Sequence, residues 1–342
     1  MRLAIPLNYA ANFKEAADQV VAFENAGADI VWVAEAYGID APSQMGYLAA
    51  RTERIQIGAG ILPIYSRTPA LLAQTAAGID ALSDGRMILG LGASGPQVIE
   101  GWHGVAYDHP LERTREIIDI CRRVWRREVL TNDGLYMLPL PLERGTGLGK
   151  PLKLLTRPVR AEIPIWVASL GPKNVEMTAE VADGWLPILF VPELAGRVWG
   201  DALAKGAANR AAGLGRLQIC AGGLLAVGDD VEGLRDLARP SVALYVGGMG
   251  ARGKNFYNSL VQRYGFEAEA ARIQDLYLAG HKQEAAAAVP AELLEKTSLI
   301  GPESYVKERI EAFKESGVTV LNVMPFDADP AGLVARVKEW IS

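Results

Sequence analysis

The chain has 342 residues, and its 35 basic and 40 acidic side chains give a formal net charge of −5. It contains no run of basic residues that could follow a nucleic-acid backbone, so nucleic acid is not an expected partner. The longest apolar run, residues 219–228, is too short to cross a membrane, and "MRLAIPLNYA" lacks a signal peptide's apolar region, which together predict a cytoplasmic protein with no membrane partner.

Apolar runs that indicate strands alternate with segments of helical period along the chain. The predicted strands cover 3–8, 29–34, 55–62, 86–91, 163–168, 184–188, 217–226 and 318–323. Continuous apolar runs are typical of parallel strands buried on both faces. Eight strand–helix repeats predict an α/β fold, a (β/α)8 TIM barrel that residues 1–342 form as one domain.

Helix boundaries carry the expected caps and stops. Asn12 can cap the first helix and Gly27 can end it, while Thr68-Pro69 and Gly171-Pro172 begin later ones. Two segments lie outside the repeat: 129–160, rich in Pro, Gly and Leu, and 244–300, which contains further helical patterns. Both are expected to be insertions on the barrel, and an insertion at its carboxyl-terminal face would shape a pocket.

The third predicted strand, "IQIGAGILP" at 55–63, carries Gly58 and Gly60 where a buried strand normally has bulky side chains. Glycine inside a strand suggests a bulge or the close approach of another group to the backbone. This strand therefore predicts a contact that a side chain would block.

The predicted strand ends, where a barrel places its reactive groups, are mostly small and uncharged. They are Asn8, Glu35, 60–63, 92–95, 168–172 and 185–188. No strand end carries a histidine, and no nucleophile–base pair or metal cluster stands out, so no metal is expected. Such a mouth favours a large flat cofactor that supplies its own chemistry over a lyase or isomerase site.

Two glycine-containing segments follow predicted strands. "GLGASGP" at 90–96 is weak evidence for a nucleotide site, because the next predicted helix starts only near residue 112. "ASLGPKN" at 168–174 is more informative, since Gly171-Pro172 opens a helix whose free N–H groups can hold a phosphate, with Lys173 adding positive charge.

Glu35 ends an otherwise apolar strand. A carboxylate there can be a general acid or base, or an acceptor that orients a ligand, and a solvated loop acid is the alternative.

The run "GAGILPIYSRTPALLAQTAAGIDALSDGRMILGLGASGP", with "DIVWVAEA" before it and "VASLGPKNVEMTAEVADGW" after it, resembles the luciferase-like monooxygenase superfamily. Within that group it is most similar to the coenzyme F420-dependent oxidoreductases, especially methylenetetrahydromethanopterin reductase. The resemblance implies F420, a deazaflavin, as cofactor, with FMN as the alternative, a small-molecule substrate and a homodimer.

The same resemblance implies roles for individual residues. It places a non-prolyl cis peptide at Gly60-Ile61, in a bulge that supports the back of the deazaflavin ring. It places Glu35 near the ring, Ala93 and Ser94 along the cofactor, and Ala168, Ser169, Leu170 and Gly171 around its phosphate.

One departure from the family pattern concerns the reaction. Sugar-phosphate dehydrogenases of this branch have an acid–histidine pair where this chain has Glu35-Ala36. The missing histidine argues against alcohol oxidation and favours hydride transfer to a polarised C=N or C=C bond, with Glu35, Tyr37 or water as proton source. An FMN monooxygenase and a non-catalytic cofactor-binding protein are the alternatives.

Overall fold

The computed structural model describes residues 1–7 and 12–342, so the predicted strand end Asn8 lies outside the described residues. Ten strands are assigned in these ranges: β1 Arg2–Pro6, β2 Ile30–Val33, β3 Gln56–Ala59, β4 Leu62–Pro63, β5 Met87–Gly92, β6 Ile165–Val167, β7 Gly184–Trp185, β8 Gln218–Val227, β9 Leu299–Gly301 and β10 Val320–Pro325. The α-helices are α1 Phe13–Asn25, α2 Ala41–Arg51, α3 Pro69–Leu82, α4 Pro96–Gly101, α5 Pro110–Trp125, α6 Pro172–Val181, α7 Pro192–Ala208, α8 Arg239–Ala243, α9 Phe256–Arg263, α10 Glu267–Leu278, α11 Lys282–Ala287, α12 Ala291–Lys296, α13 Glu303–Glu315 and α14 Pro330–Ile341.

The strands close into a parallel barrel. The order is β10-β1-β2-β3-β5-β6-β7-β8, and β10 pairs with both β1 and β8. β4 continues the third strand along β5, and β9 pairs with the end of β8. The predicted TIM barrel is therefore confirmed, with eight strands around the barrel and β4 and β9 as short additions.

Three elements differ from the sequence prediction. Helix α4 begins at Pro96, the last residue of "GLGASGP", so the expectation that the next helix starts near 112 was wrong. β9 lies at the end of the segment predicted to be an insertion, and α13 follows it. The sequence pattern over 230–243 predicts one helix, but the structure has a 3-10 helix, Glu232–Ala238, followed by the short α8.

The two insertions contact the barrel at different places. In segment 129–160, Arg160 pairs with Asp80 at the end of α3 and donates to the carbonyl of Met87 at the start of β5. Arg160 thus lies at the amino-terminal end, whereas the Tyr136 ring of the same segment lies 5.4 Å from the guanidinium carbon of Arg113 in the first turn of α5, so the segment extends along α5 toward the mouth. The 244–300 segment follows β8, and its Phe256 ring lies 3.8 Å from the position that a Cβ on Gly171 would take, so it borders the carboxyl-terminal end. None of the helices in the described ranges is both long and apolar enough to span a bilayer.

Two indole rings fill the interior of the barrel. Trp32 on β2 and Trp166 on β6 are buried, and their ring centroids are 5.3 Å apart. A Cβ on Gly58 would lie 2.3 Å from a ring atom of Trp32, and a Cβ on Gly184 would lie 2.0 Å from a ring atom of Trp166. The group that approaches Gly58 is thus the indole of the neighbouring strand.

We predict that Gly58→Ala lowers the free energy of unfolding by roughly 1–3 kcal/mol, because the added methyl group overlaps a ring that the barrel wall holds in place. Gly78→Ala is the control. Gly78 lies inside α3 with nothing within 4 Å of an added Cβ, so alanine should stabilise the protein by about 0.5–1 kcal/mol. Urea unfolding of both variants checks the prediction, and equal midpoints for Gly58→Ala and the parent protein would contradict it.

Candidate functional site

Uncharged residues of three strands, most of them small, form part of the inner wall of the barrel just above the two indoles. Side chains alternate along a strand, so two residues beyond Trp32 the inward position is Ala34, and two beyond Trp166 it is Ala168. Gly60 and Ile61 complete this wall on the third strand, and all four residues are partly exposed. We call these four residues the mouth cradle. It is an uncharged surface, open at the carboxyl-terminal end.

The third strand is interrupted at the mouth cradle, between β3 and β4. The Gly60–Ile61 peptide bond is cis, at the position that the family resemblance implies. The carbonyl oxygen of Ala59 would lie 1.7 Å from a Cβ on Gly90, and the Ile61 side chain would lie 2.8 Å from a Cβ on Gly92. The G-x-G of "GLGASGP" therefore accommodates the interrupted strand, which explains these glycines without a nucleotide fingerprint.

The residues after β5 form the next part of the rim. Ala93 is partly buried, and Ser94 is exposed with a left-handed φ of 58°. Non-glycine residues in this region of φ are uncommon and occur preferentially at functional sites. The hydroxyl of Tyr107 lies 3.4 Å from the Ser94 carbonyl oxygen, and the Tyr107 ring packs on Tyr65 at a centroid distance of 5.1 Å. Burial raises the pKa of Tyr107, so its hydroxyl stays protonated at neutral pH.

Two buried tryptophans fix the backbone after β6. The indole N–H of Trp185 donates to the carbonyl of Ser169, and that of Trp199 donates to the carbonyl of Leu170, both at 2.9 Å. In a trans peptide the N–H points opposite to the C=O of the same plane. The N–H groups of Leu170 and Gly171 consequently point away from the indoles, and neither donates to an acceptor within the described ranges.

The side chain of Ser169 points into the fold, toward α6. Its hydroxyl lies 2.9 Å from that of Thr178 on α6, and the residue is 4% exposed. Any contact of Ser169 with a ligand at the mouth must therefore come from its backbone. Helix α6 begins after Gly171 without a side-chain cap, and Lys173 in its first turn is exposed. This helix end keeps unpaired N–H groups and adds one cation.

Glu35 is held in a buried ion pair. Its two carboxylate oxygens accept hydrogen bonds from Nη1 and Nη2 of Arg67 at 2.5 and 2.8 Å, and one of them also accepts from the backbone N–H of Ala41 at 2.8 Å. The side chains of Glu35 and Arg67 are 7% and 14% exposed. The carboxylate thus links the end of β2 to the start of α2 and to the loop after β4.

Other reactive groups are buried or dispersed. Burial raises the pKa of the Cys220 thiol to about 12, and Cys121 is likewise buried, so neither is suited to act as a thiolate. Over residues 1–7 and 12–342, no three His, Cys, Asp or Glu side chains are grouped so that they could hold a metal ion.

The structure brings most of the predicted site residues to one end of the barrel. These residues are Glu35, Gly60, Ile61, Ala93, Ser94, Ala168, Leu170 and Gly171, with Lys173 at the outer edge. Sequence reasoning did not find Arg67 or Trp199, and it included Trp185 only as part of the predicted strand end 185–188. Arg67 in the otherwise uncharged "ILPIYSRTP" was a detectable signal, whereas nothing in the sequence links either indole to the carbonyl that it binds.

We predict that Glu35→Ala lowers the free energy of unfolding by about 3–5 kcal/mol, because it leaves the Arg67 guanidinium buried without its partner. The double variant Glu35→Ala/Arg67→Ala should lose much less than the sum of the two single variants. Denaturant unfolding of the four proteins gives the coupling energy. The control is Glu292→Ala in the exposed pair with Lys296, where the expected change is at most ~0.5 kcal/mol. A coupling energy no larger than the ~0.5 kcal/mol expected for the control variant would contradict a stabilising role for the buried pair.

Comparison with known proteins agrees with this geometry. The sequence model of the luciferase-like monooxygenase family matches residues 2–320. A Mycobacterium tuberculosis protein named as a candidate coenzyme F420-dependent oxidoreductase, Rv3520c, is 40% identical over 335 residues, 96% of each chain. The 5,10-methylenetetrahydromethanopterin reductase of Archaeoglobus fulgidus is 28% identical over 307 residues, 86% of this chain and 85% of the archaeal protein. The structure of the coenzyme F420-dependent tetrahydromethanopterin reductase of Methanopyrus kandleri, at 20% identity, has the same fold with a TM-score of 0.80 over 98% of this chain and 96% of that one.

Proposed function

Because the chain belongs to the luciferase-like monooxygenase family, we propose that it is a coenzyme F420-dependent oxidoreductase. It would transfer hydride between the reduced deazaflavin and a polarised C=N or C=C bond of a small-molecule substrate. The observation that carries this proposal is the uncharged mouth cradle beside two unpaired N–H groups, in a chain that matches an F420-named relative along 96% of its length. A cytoplasmic location and a homodimer belong to the same proposal.

The residues at the mouth fit a flat heteroaromatic group. Ala34, Gly60 and Ala168 leave open the inward space above the indoles that larger side chains would fill. On β10, the inward-facing Asn322 has a buried Oδ1 without a hydrogen-bond partner among the described residues. A buried acceptor of this kind is costly unless a donor reaches it. The pyrimidine edge of a deazaflavin carries an N–H that could bind there.

The backbone after β6 fits the phosphate of the cofactor. Leu170 and Gly171 present N–H groups away from the core, and the uncapped start of α6 adds its own. An anion at such a position gains roughly 0.3–1 kcal/mol when exposed and up to about 2 kcal/mol when partly buried. Lys173 adds a charge that solvent screens. These groups would orient the cofactor rather than supply all of its affinity.

When bound, the reduced cofactor supplies the hydride, so the protein has to position the acceptor and provide a proton. Glu35 stays the proposed functional carboxylate, but its pairing with Arg67 and Ala41 favours an orienting role over proton donation. The residue after it is alanine, which holds no proton. The exposed Tyr37 hydroxyl or water would then protonate the reduced substrate.

We predict that the protein oxidises reduced F420 when an enone such as cyclohex-2-enone or a cyclic imine is added, at a rate independent of dioxygen. Deazaflavin absorbance in an anaerobic and an aerobic cuvette measures this rate. Dioxygen consumption with reduced FMN, without F420 binding, would instead identify an FMN monooxygenase. Tight F420 binding without turnover of any unsaturated acceptor would identify a non-catalytic cofactor-binding protein.

We also predict that Ala168→Phe weakens F420 binding by at least about tenfold, because the phenyl ring would enter the space assigned to the deazaflavin. Ser169→Ala is the matched control one residue along the chain. Its hydroxyl faces Thr178, so the affinity should stay within about twofold while the free energy of unfolding falls by roughly 1 kcal/mol. Fluorescence titration and thermal unfolding of both variants test this placement. Unchanged affinity in Ala168→Phe would remove Ala168 from the cofactor site.

A further inference from the structure

Two exposed aromatic side chains stand together beside the mouth. Tyr37, in the loop after β2, is 65% exposed, and Trp102, at the end of α4, is 67% exposed. Their ring centroids are 6.4 Å apart and their planes are inclined by 56°. We call them the aromatic pair.

The aromatic pair is anchored to both sides of the proposed cofactor site. Tyr37 lies between Glu35 and Ala41, which the carboxylate of Glu35 ties together. Trp102 ends the helix that begins two residues after Ser94, and Ile99 in this helix is fully buried. The two rings are therefore presented by backbone that is fixed close to the mouth cradle.

The exposed apolar surface is of the size that a small molecule covers. Ile39 and Val105, near the rings in sequence, are 54% and 37% exposed. From the sizes of their side chains, the two rings alone expose roughly 300–350 Å² in total, which is within the range of functional surface patches. A stable protein–protein interface needs about 800 Å² on each partner. The area thus favours a small apolar ligand over a second protein.

We propose that the aromatic pair is a substrate subsite that binds the apolar or aromatic arm of the hydride acceptor. This inference rests on the proposed function and narrows its substrate class to enones or imines that carry a hydrophobic substituent next to the reducible C=C or C=N bond. Flat faces on Tyr and Trp suit such a substituent, because stacking and edge contacts add to the burial of its surface.

The test uses binding without turnover, so its result does not depend on hydride transfer. Isothermal titration calorimetry compares 4-phenylbut-3-en-2-one with pent-3-en-2-one, which has the same enone with a methyl group in place of the ring, on the cofactor-free protein and on the protein loaded with oxidised F420. We expect the phenyl compound to bind at least about tenfold more tightly to the parent protein. Trp102→Ala and Tyr37→Ala should each remove most of this difference, and Trp102→Phe should retain part of it.

The control is Leu155→Ala, which removes a 95% exposed apolar side chain on the amino-terminal side of the barrel, where the carbonyl of the preceding Leu154 accepts from Arg127 just after α5. It should leave the preference for the phenyl compound unchanged. The proposal is overturned if Trp102→Ala and Tyr37→Ala keep the full preference. It is also overturned if Trp102→Ala lowers the molar mass measured by light scattering, since the aromatic pair would then be covered by a second copy of the chain. If the parent protein shows the binding preference but no F420 turnover, the result would count against the proposed function alone.

Discussion

The contact of two buried indoles with two glycines determines what the barrel interior can contain. Trp32 and Trp166 reach across the barrel only because the facing positions on the next strands are Gly58 and Gly184, where any Cβ would overlap a ring. Large side chains thereby fill the lower barrel, and the small residues Ala34, Gly60 and Ala168 lie above them. This division produces the mouth cradle. The indoles form a packed floor, and the wall above them is left open for a flat group.

The interrupted third strand depends on glycines in the same way. The Ala59 carbonyl and the Ile61 side chain occupy space that side chains at Gly90 and Gly92 would take. The strand pair thus encodes one feature in two distant segments, "GAGI" and "GLG". A substitution in either segment would alter the same wall, so the motif after β5 is structural in origin even though it lies at the mouth.

The local patterns in the sequence predicted most of the fold, and long-range pairs accounted for most of what it could not predict. Parallel strands buried on both faces leave continuous apolar runs, so the barrel could be predicted, as could the start of α6 at Pro172. Helix α4 has only six residues, too few for a helical period to show. The Glu35–Arg67 pair joins residues 32 positions apart, and the bond from Trp185 to Ser169 spans 16, so neither has a local signature. A carboxylate at a strand end predicted an important residue but not the cation that binds it.

That cation changes the chemistry expected of the site. A carboxylate with both oxygens engaged by a guanidinium is a poor proton donor, because losing the pair would leave a buried charge uncompensated. The buried Glu35–Arg67 pair therefore fixes the loops around the mouth, and the wall itself carries no charge. In the proposed function the reducing equivalents come from the bound cofactor, and the proposed subsite would recognise the substrate mainly by apolar contact. In this proposal the exposed aromatic pair at the rim binds the substrate, and the uncharged mouth cradle below it binds the cofactor.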